Sequence, residues 1–262
     1  TQEQKDSLQQ LPLKIKYTPE SHNDGIATYF REYLRSYMKT WVNENPKPDG
    51  TKYNLYLDGL KVYTTIDSKM QIYAEAAVKA HMKQLQKAFD AENNRKKNAT
   101  YPFVKVTKDE YNNLIERAMK SSNRWIHLKY LRYSEKEIRE SFNKKVEMRV
   151  FSWKGERDTV MTPRDSILYY KAFLRTGMMS MEPQTGHIKA WVGGINYKHF
   201  QYDQVAQGAR QTGSTFKPFV YATAIDQLHY SPCLELPDIQ TCIEAGKYGN
   251  VQAWCPRNST GN

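Results

Sequence analysis

Ser214 and Lys217 stand three residues apart in the run Arg210-Gln211-Thr212-Gly213-Ser214-Thr215-Phe216-Lys217-Pro218. On a helix that spacing puts both side chains on one face, where the lysine amine can accept the serine proton and convert a weak hydroxyl into a nucleophile. Near a helix N-terminus, unpaired backbone N–H groups and the positive end of the helix dipole favour an oxyanion, so the Ser214 amide is a candidate oxyanion donor. Thr212 is the predicted N-cap. Phe216, Phe219, Val220, Thr223 and Ala224 follow i, i+3, i+4, i+7, i+8 spacing and are expected to pack inward, leaving Ser214, Lys217 and Tyr221 on another face. Pro218 has no N–H for the Ser214 carbonyl four residues back, so the first turn is expected to be distorted.

Two other pairs share the spacing, Ser36 with Lys39 and Ser141 with Lys144. Both lie in charged amphipathic patterns and read as solvated helix faces. Ahead of the Ser214 motif, the pattern predicts a helix over Ile26 to Trp41, ended by the turn-rich run Asn43 to Gly50. Tyr53 to Ile66 alternates and reads as a strand with Asp58-Gly59 as a turn, and Asp67 caps a helix from Ser68 to about Phe89. Asp90 to Thr100 is polar and reads as loop. Thr107 with Glu110, and Ser134 with Glu137, form capping boxes that open two short helices. Val146 to Trp153 alternates as a strand, and Thr162-Pro163 opens a helix that is predicted to end near Gly177. Met178 to Met181 and His187 to Val192 flank Gln184-Thr185-Gly186 as the arms of a hairpin.

Four stretches in this order carry a family resemblance. Arg210 to Tyr221 resembles the first active-site motif of class A penicillin-binding proteins, the bifunctional enzymes that polymerise and cross-link peptidoglycan. Gly59 to Asp67 resembles the strand leading from their linker toward the transpeptidase domain, and Glu182 to Gly194 resembles the hairpin that opens it. Trp254-Cys255-Pro256-Arg257-Asn258 resembles the W-x-P-x-N segment after the nucleophile helix. Residues 85 to 175 resemble only a lineage-specific linker.

The resemblance implies an α/β fold of the α+β kind, an incomplete transpeptidase fold of the penicillin-binding-protein and serine β-lactamase type, preceded by a mixed linker. Residues 1–50 would leave an upstream glycosyltransferase domain, 51–175 would form the linker region, and 176–262 would begin the transpeptidase domain. It implies Ser214 as nucleophile and Lys217 as general base, with stem peptides, a lipid-linked precursor and β-lactams as partners. No cofactor is implied. The setting implied is the periplasmic side of the bacterial inner membrane, reached through an N-terminal anchor outside this chain. The family's later motifs, S-x-N and K-T-G, do not follow Lys217; Ser21 to Asn23, Ser121 to Asn123 and Ser141 to Asn143 match S-x-N but precede the nucleophile. The chain by itself is therefore expected to be inactive. Two other classes fit a serine acylated by a β-lactam, a sensor module that never turns over and a serine β-lactamase. The Gly59 to Asp67 stretch and the Glu182 to Gly194 hairpin favour the penicillin-binding protein over both.

A formal charge of +11 in 262 residues raises nucleic-acid binding as an alternative. No zinc spacing, RNP-like signature or Gly-rich phosphate loop supports it, and Gly193-Gly194 is too short for one. Basic residues are spread along the chain, including Arg95-Lys96-Lys97 and Lys144-Lys145, which is compatible with anionic lipid and wall polymer. No apolar stretch is long enough to cross a bilayer. His187 and His199 lack metal spacing and read as surface or core histidines. Of the three cysteines, Cys242 and Cys255 flank the turn Ala245 to Asn250 and are the expected disulfide among three possible pairings. Cys233 is expected to be a small buried hydrophobe.

Overall fold

The structure is a computed structural model in which residues 1–9, 22–94, 96–235, 237 and 239–256 are described. Ser21, Arg95, Arg257 and Asn258, which belong to motifs named above, lie outside the described residues. The chain divides into two compact units, Thr1–Ala209 and Arg210–Asn262. The first is a mixture of helices and two small antiparallel sheets, an α+β arrangement. In order it holds α1 (Gln2–Gln9), α2 (Thr28–Glu44), α3 (Ser68–Glu92), α4 (Lys108–Lys120), α5 (Asn123–Tyr130), α6 (Glu135–Ser141), β1 (Val146–Val150), β2 (Arg157–Met161), α7 (Pro163–Lys171), β3 (Met178–Met181) and β4 (Ile188–Val192).

The long helix α3 organises this unit. Asp67, in extended conformation, accepts a hydrogen bond from the Met70 N–H at 2.8 Å and starts the helix. One stripe of α3 then runs Gln71, Ala74, Val78, Met82 and Gln86, all buried. Its apolar middle packs on Ala190 and Val192 of β4. Its polar ends act as substitutes for backbone. Gln71, fully buried, donates from Nε2 to the Trp191 carbonyl and accepts from the Trp191 N–H at Oε1, at 2.9 and 2.7 Å. In a two-stranded sheet those groups would otherwise have no ladder partner, and an orphaned buried pair costs about 1–3 kcal/mol per group.

The hairpin of β3 and β4 is antiparallel, with Met178 opposite Val192 and Met181 opposite Ile188, and a register shift after Ser180. Trp191 donates from Nε1 to Asp203 Oδ2 at 2.9 Å, and Asp203 Oδ1 accepts from the Val205 and Ala206 N–H groups. Gly193 and Gly194 let Tyr29 of α2 approach the backbone: a Cβ on either would strike the Tyr29 ring or hydroxyl. That close approach, not a phosphate, is what the glycine pair serves. Tyr29 donates to the Phe200 carbonyl at 2.6 Å, and burial pushes its phenol well above the ordinary value.

Helices α4 to α7 surround a separate core of Ile115, Met119, Trp125, Ile138, Phe142 and Leu168. Both capping boxes form, Thr107 with Glu110 on α4 and Ser134 with Glu137 on α6. β1 and β2 make the second hairpin, with Val146 opposite Met161 and Val150 opposite Arg157.

Three expectations are corrected. Tyr53 to Ile66 is not a strand, because Asp58 takes the Asn54 N–H at 2.7 Å and Asn54 Oδ1 takes the Tyr56 N–H at 2.9 Å, turning the backbone locally. Its later part instead meets β4 at two points, Thr65 Oγ1 to the Ile188 carbonyl and the Asp67 N–H to the Lys189 carbonyl. Second, α7 ends at Lys171, short of Gly177. There Gln86 donates to the Ala172 carbonyl and accepts the Leu174 N–H, drawing both out of helical pairing. Third, the strand predicted over Val146 to Trp153 stops at Val150, and its partner β2 was not foreseen because Arg157-Asp158-Thr159 carries too little apolar alternation.

Candidate active site

The second unit begins with a 3₁₀ turn, Gly213–Phe216, that continues directly into α8, Lys217–Asp226. Pro218 accounts for the change of helix type. It cannot donate to the Ser214 carbonyl, and the Lys217 N–H takes that carbonyl instead, one residue earlier than α-helical pairing would. The distorted first turn expected from the sequence is present in this form. Gly213 has φ +56, a left-handed value that a side chain at this position would resist, and nothing lies within 4 Å of a Cβ placed there. The glycine therefore serves the bend that presents Ser214.

Thr212 does not cap the helix through its side chain. It sits in right-handed helical conformation, φ −70 and ψ −31, where its hydroxyl is not directed at the following N–H groups. Its carbonyl is used instead, accepting from both the N–H and the hydroxyl of Thr215. Ser214 and Lys217 are both exposed, and among the described residues no hydrogen bond joins the Ser214 hydroxyl to the Lys217 amine. Shared spacing brings the two to one short segment; no packed wall holds the flexible lysine against the serine.

The apolar stripe is likewise exposed, contrary to the inward packing expected: Phe216 is 52%, Phe219 66% and Val220 53% accessible. Phe216 and Phe219 contact one another, ring centroids 5.6 Å apart, but no described residue of this unit is buried. Cys233 is exposed too, rather than buried. Its N–H donates to Ser231 Oγ in a local turn, and no element of the described unit covers it.

Cys242 and Cys255 form a disulfide. Between them the chain reverses as the turn residues suggest, with Ile243 and Trp254 exchanging both backbone hydrogen bonds at 2.8 and 2.9 Å and Gly246 and Gly249 at positive φ. His187 and His199 lie in the first unit. His187 is near Glu182 at 3.9 Å, and His199 is mostly enclosed between Glu156 and Tyr170, at 2.6 and 3.0 Å. No cluster of histidine, cysteine and carboxylates suited to a metal occurs among the described residues, and no described helix is long and apolar enough to cross a membrane.

Sequence reading missed four side chains that tie separate segments of the first unit together, Gln71, Gln86, Asp203 and Glu156. Each is polar and looks like surface by type. The only hint was position, since Gln71 and Gln86 lie in phase with Ala74, Val78 and Met82 on one helical stripe.

Comparison with known proteins adds to these observations. A family profile, the penicillin-binding protein middle domain, matches residues 98–174, which span α4 to α7 and the β1–β2 hairpin. Proteins named penicillin-binding protein 1A are similar to parts of the chain. That of Aquifex aeolicus is 25% identical over 237 residues, 86% of this chain and 29% of its own length. That of Neisseria flavescens is 32% identical over 108 residues, 41% of this chain and 12% of its own, and that of Neisseria gonorrhoeae 34% identical over 88 residues, 34% and 11%. The chain thus spans less than a third of the length of these relatives. The middle-domain match and these relatives, together with the ordered motifs, support reading the chain as a fragment of a class A penicillin-binding protein.

Proposed function

We propose that this chain is part of a bifunctional peptidoglycan synthase and carries the acyl-transfer nucleophile of its D,D-transpeptidase. The observation that supports this most is the presentation of Ser214 on a tight 3₁₀ turn, set by Gly213 at positive φ and by Pro218, with Lys217 one turn on. In the reading, Ser214 Oγ attacks the carbonyl of the penultimate D-alanine of a stem peptide. Lys217 takes the hydroxyl proton, the tetrahedral carbon expels the terminal D-alanine, and the proton passes to its departing nitrogen. An amine of a neighbouring stem then attacks the ester, re-forming an amide and returning the proton to Ser214.

The Ser214 amide serves as one oxyanion donor, and a strand carrying K-T-G would supply the second and enclose Lys217. In this reading residues 1–50 lead out of a glycosyltransferase domain, 51–175 form the linker region and 176–262 open the transpeptidase domain. The enzyme acts on stem peptides and a lipid-linked precursor at the periplasmic side of the inner membrane and is acylated by β-lactams. The exposure of Lys217 and of the α8 stripe fits the expectation that the 262-residue chain alone is inactive.

The test is acylation by fluorescent penicillin. In a chain extended through the S-x-N and K-T-G segments, label should attach to Ser214 and vanish in Ser214→Ala, and Lys217→Ala should acylate about 100-fold or more slowly. Label on another residue, or equal labelling of the Ser214→Ala variant, sinks the assignment.

A further inference from the structure

A cavity of ≈ 270 Å³ in the first unit lies between the C-terminal part of α3 and the middle-domain segment, lined by Gln86, Asp90, Tyr101, Trp153, Arg157, Tyr169 and Phe173 among others. Its polar atoms divide into two sets. One is committed to holding the walls: Gln86 binds Asp90 Oδ1, the Ala172 carbonyl and the Leu174 N–H, Ser152 Oγ donates to the Gly155 carbonyl, and Tyr169 donates to the Phe151 carbonyl. The other has no such engagement among the described residues. Asp90 Oδ2 accepts no hydrogen bond, and the Arg157 guanidinium stacks over the Tyr169 ring at 5.6 Å without donating one.

The walls are therefore fixed in advance, and they are aromatic. Tyr169 and Phe173 meet edge to face at 5.1 Å, and Trp153 lies tilted against Phe173 at 6.3 Å. What such a cavity recognises is a rigid ring with one apolar face and a periphery of donors and acceptors. The aromatic walls take the C–H face of a pyranose, Asp90 Oδ2 takes a hydroxyl, and the free N–H groups of Arg157 take carbonyl or hydroxyl oxygens. Phosphate-bearing ligands are disfavoured by Asp90, and cationic guests by Arg157, which already covers the face of Tyr169 and carries like charge.

We propose that this cavity binds an N-acetylated hexosamine ring of a glycan, with the acetamido carbonyl directed to Arg157 and a ring hydroxyl to Asp90. The choice of glycan rests on the wall-synthesis reading above; the choice of a sugar rests on the cavity alone. Such a site would hold a glycan strand on the same polypeptide as Ser214, so that stem peptides attached to that strand stay at raised local concentration.

Calorimetric titration of the 262-residue chain with chitotetraose tests this. The expected result is saturable one-site binding, with maltotetraose, which has no acetamido groups, at least about tenfold weaker. Asp90→Asn and Arg157→Gln change exposed side chains, and each should weaken chitotetraose about tenfold while the circular dichroism spectrum and thermal midpoint stay as in the parent. No saturable binding, equal affinity for the two sugars, or equal affinity of Asp90→Asn and Arg157→Gln with the parent would each overturn the proposal. Penicillin labelling reads the other proposal separately. Label on Ser214 without chitotetraose binding ends the cavity proposal alone, and chitotetraose binding without label on Ser214 ends the transpeptidase assignment alone.

Discussion

The middle-domain helices and the Ser214 helix both carry apolar side chains at helical spacing, yet one set is buried and the other is not. Ile115, Met119, Trp125, Ile138 and Phe142 are each 6% exposed or less, whereas Phe216, Phe219 and Val220 are more than half exposed. An amphipathic stripe specifies which face of a helix seeks cover, not what covers it. Around α4 to α7 the cover comes from neighbours close in sequence, since α5, α6 and α7 follow α4 with short connections. The face of α8 has no such neighbour among the described residues of its own unit.

The widest gap between the two regions should appear on truncating one aromatic ring in each. Phe142→Ala removes a ring that is 1% exposed and packed among Trp125, Ile138 and Leu168, and should destabilise the first unit by about 3–5 kcal/mol in urea unfolding. Phe219→Ala, at a site 66% exposed, should change stability by less than about 0.5 kcal/mol in the same chain. If Phe219→Ala matched Phe142→Ala, the α8 stripe would be buried in solution and the contrast would fail.

The second unit depends on a different kind of constraint. With no described buried residue, its ordered end is held by the bridge between Ile243 and Trp254 and by the Cys242–Cys255 disulfide across a sequence separation of 13. Closing a loop of that size removes denatured-state freedom worth about 3 kcal/mol in the chain-entropy account. Reduction should therefore speed hydrogen exchange at the Ile243 and Trp254 amides by about 100-fold while leaving the amides of α3 and β4 unchanged. Equal protection before and after reduction would mean that packing, not the cross-link, orders this segment.

The same contrast explains what could be read from the sequence. Both capping boxes, the Asp67 cap, the β3–β4 hairpin, the turn between the cysteines and the distorted start of the Ser214 helix are decided by residues within a few positions of one another. The Tyr53 to Ile66 segment failed because two local side chains, Asn54 and Asp58, turn its first part and only its end reaches β4. Gln71 and Gln86 were invisible because their meaning lies at Trp191, Ala172 and Leu174, some 120 and 86 to 88 residues away. For the candidate site, the proposed pairing of Ser214 with Lys217 rests on spacing. The environment that would set the lysine against the serine is a long-range property, and spacing does not carry it.

The smallest effect tests how the middle-domain segment is tied to the loop after β4. Glu156, in the turn between β1 and β2, accepts from Lys198 Nζ at 3.0 Å and faces His199 Nε2 at 2.6 Å, while His199 Nδ1 meets the Tyr170 hydroxyl. Hydrogen bonds from Lys198 and His199 hold the Glu156 carboxyl below its ordinary value of 4.5 in the folded chain. The unfolded chain therefore takes up the proton first as pH falls. The stabilisation by Glu156 is complete above the unfolded value and is lost as pH drops through the lower folded value. The stability difference between the parent and Glu156→Gln should shrink steadily as pH falls below about 4.5. Taking the difference cancels the other depressed carboxyls, such as Glu116 beside Arg139 and Asp158 beside Arg149, which are common to both proteins. The group is exposed to solvent on one side, so the change should be modest and should fade in high salt. A difference that persisted unchanged at pH 3 would show that Glu156 acts through its shape and hydrogen bonding alone, and that its charge does not tie the two segments together.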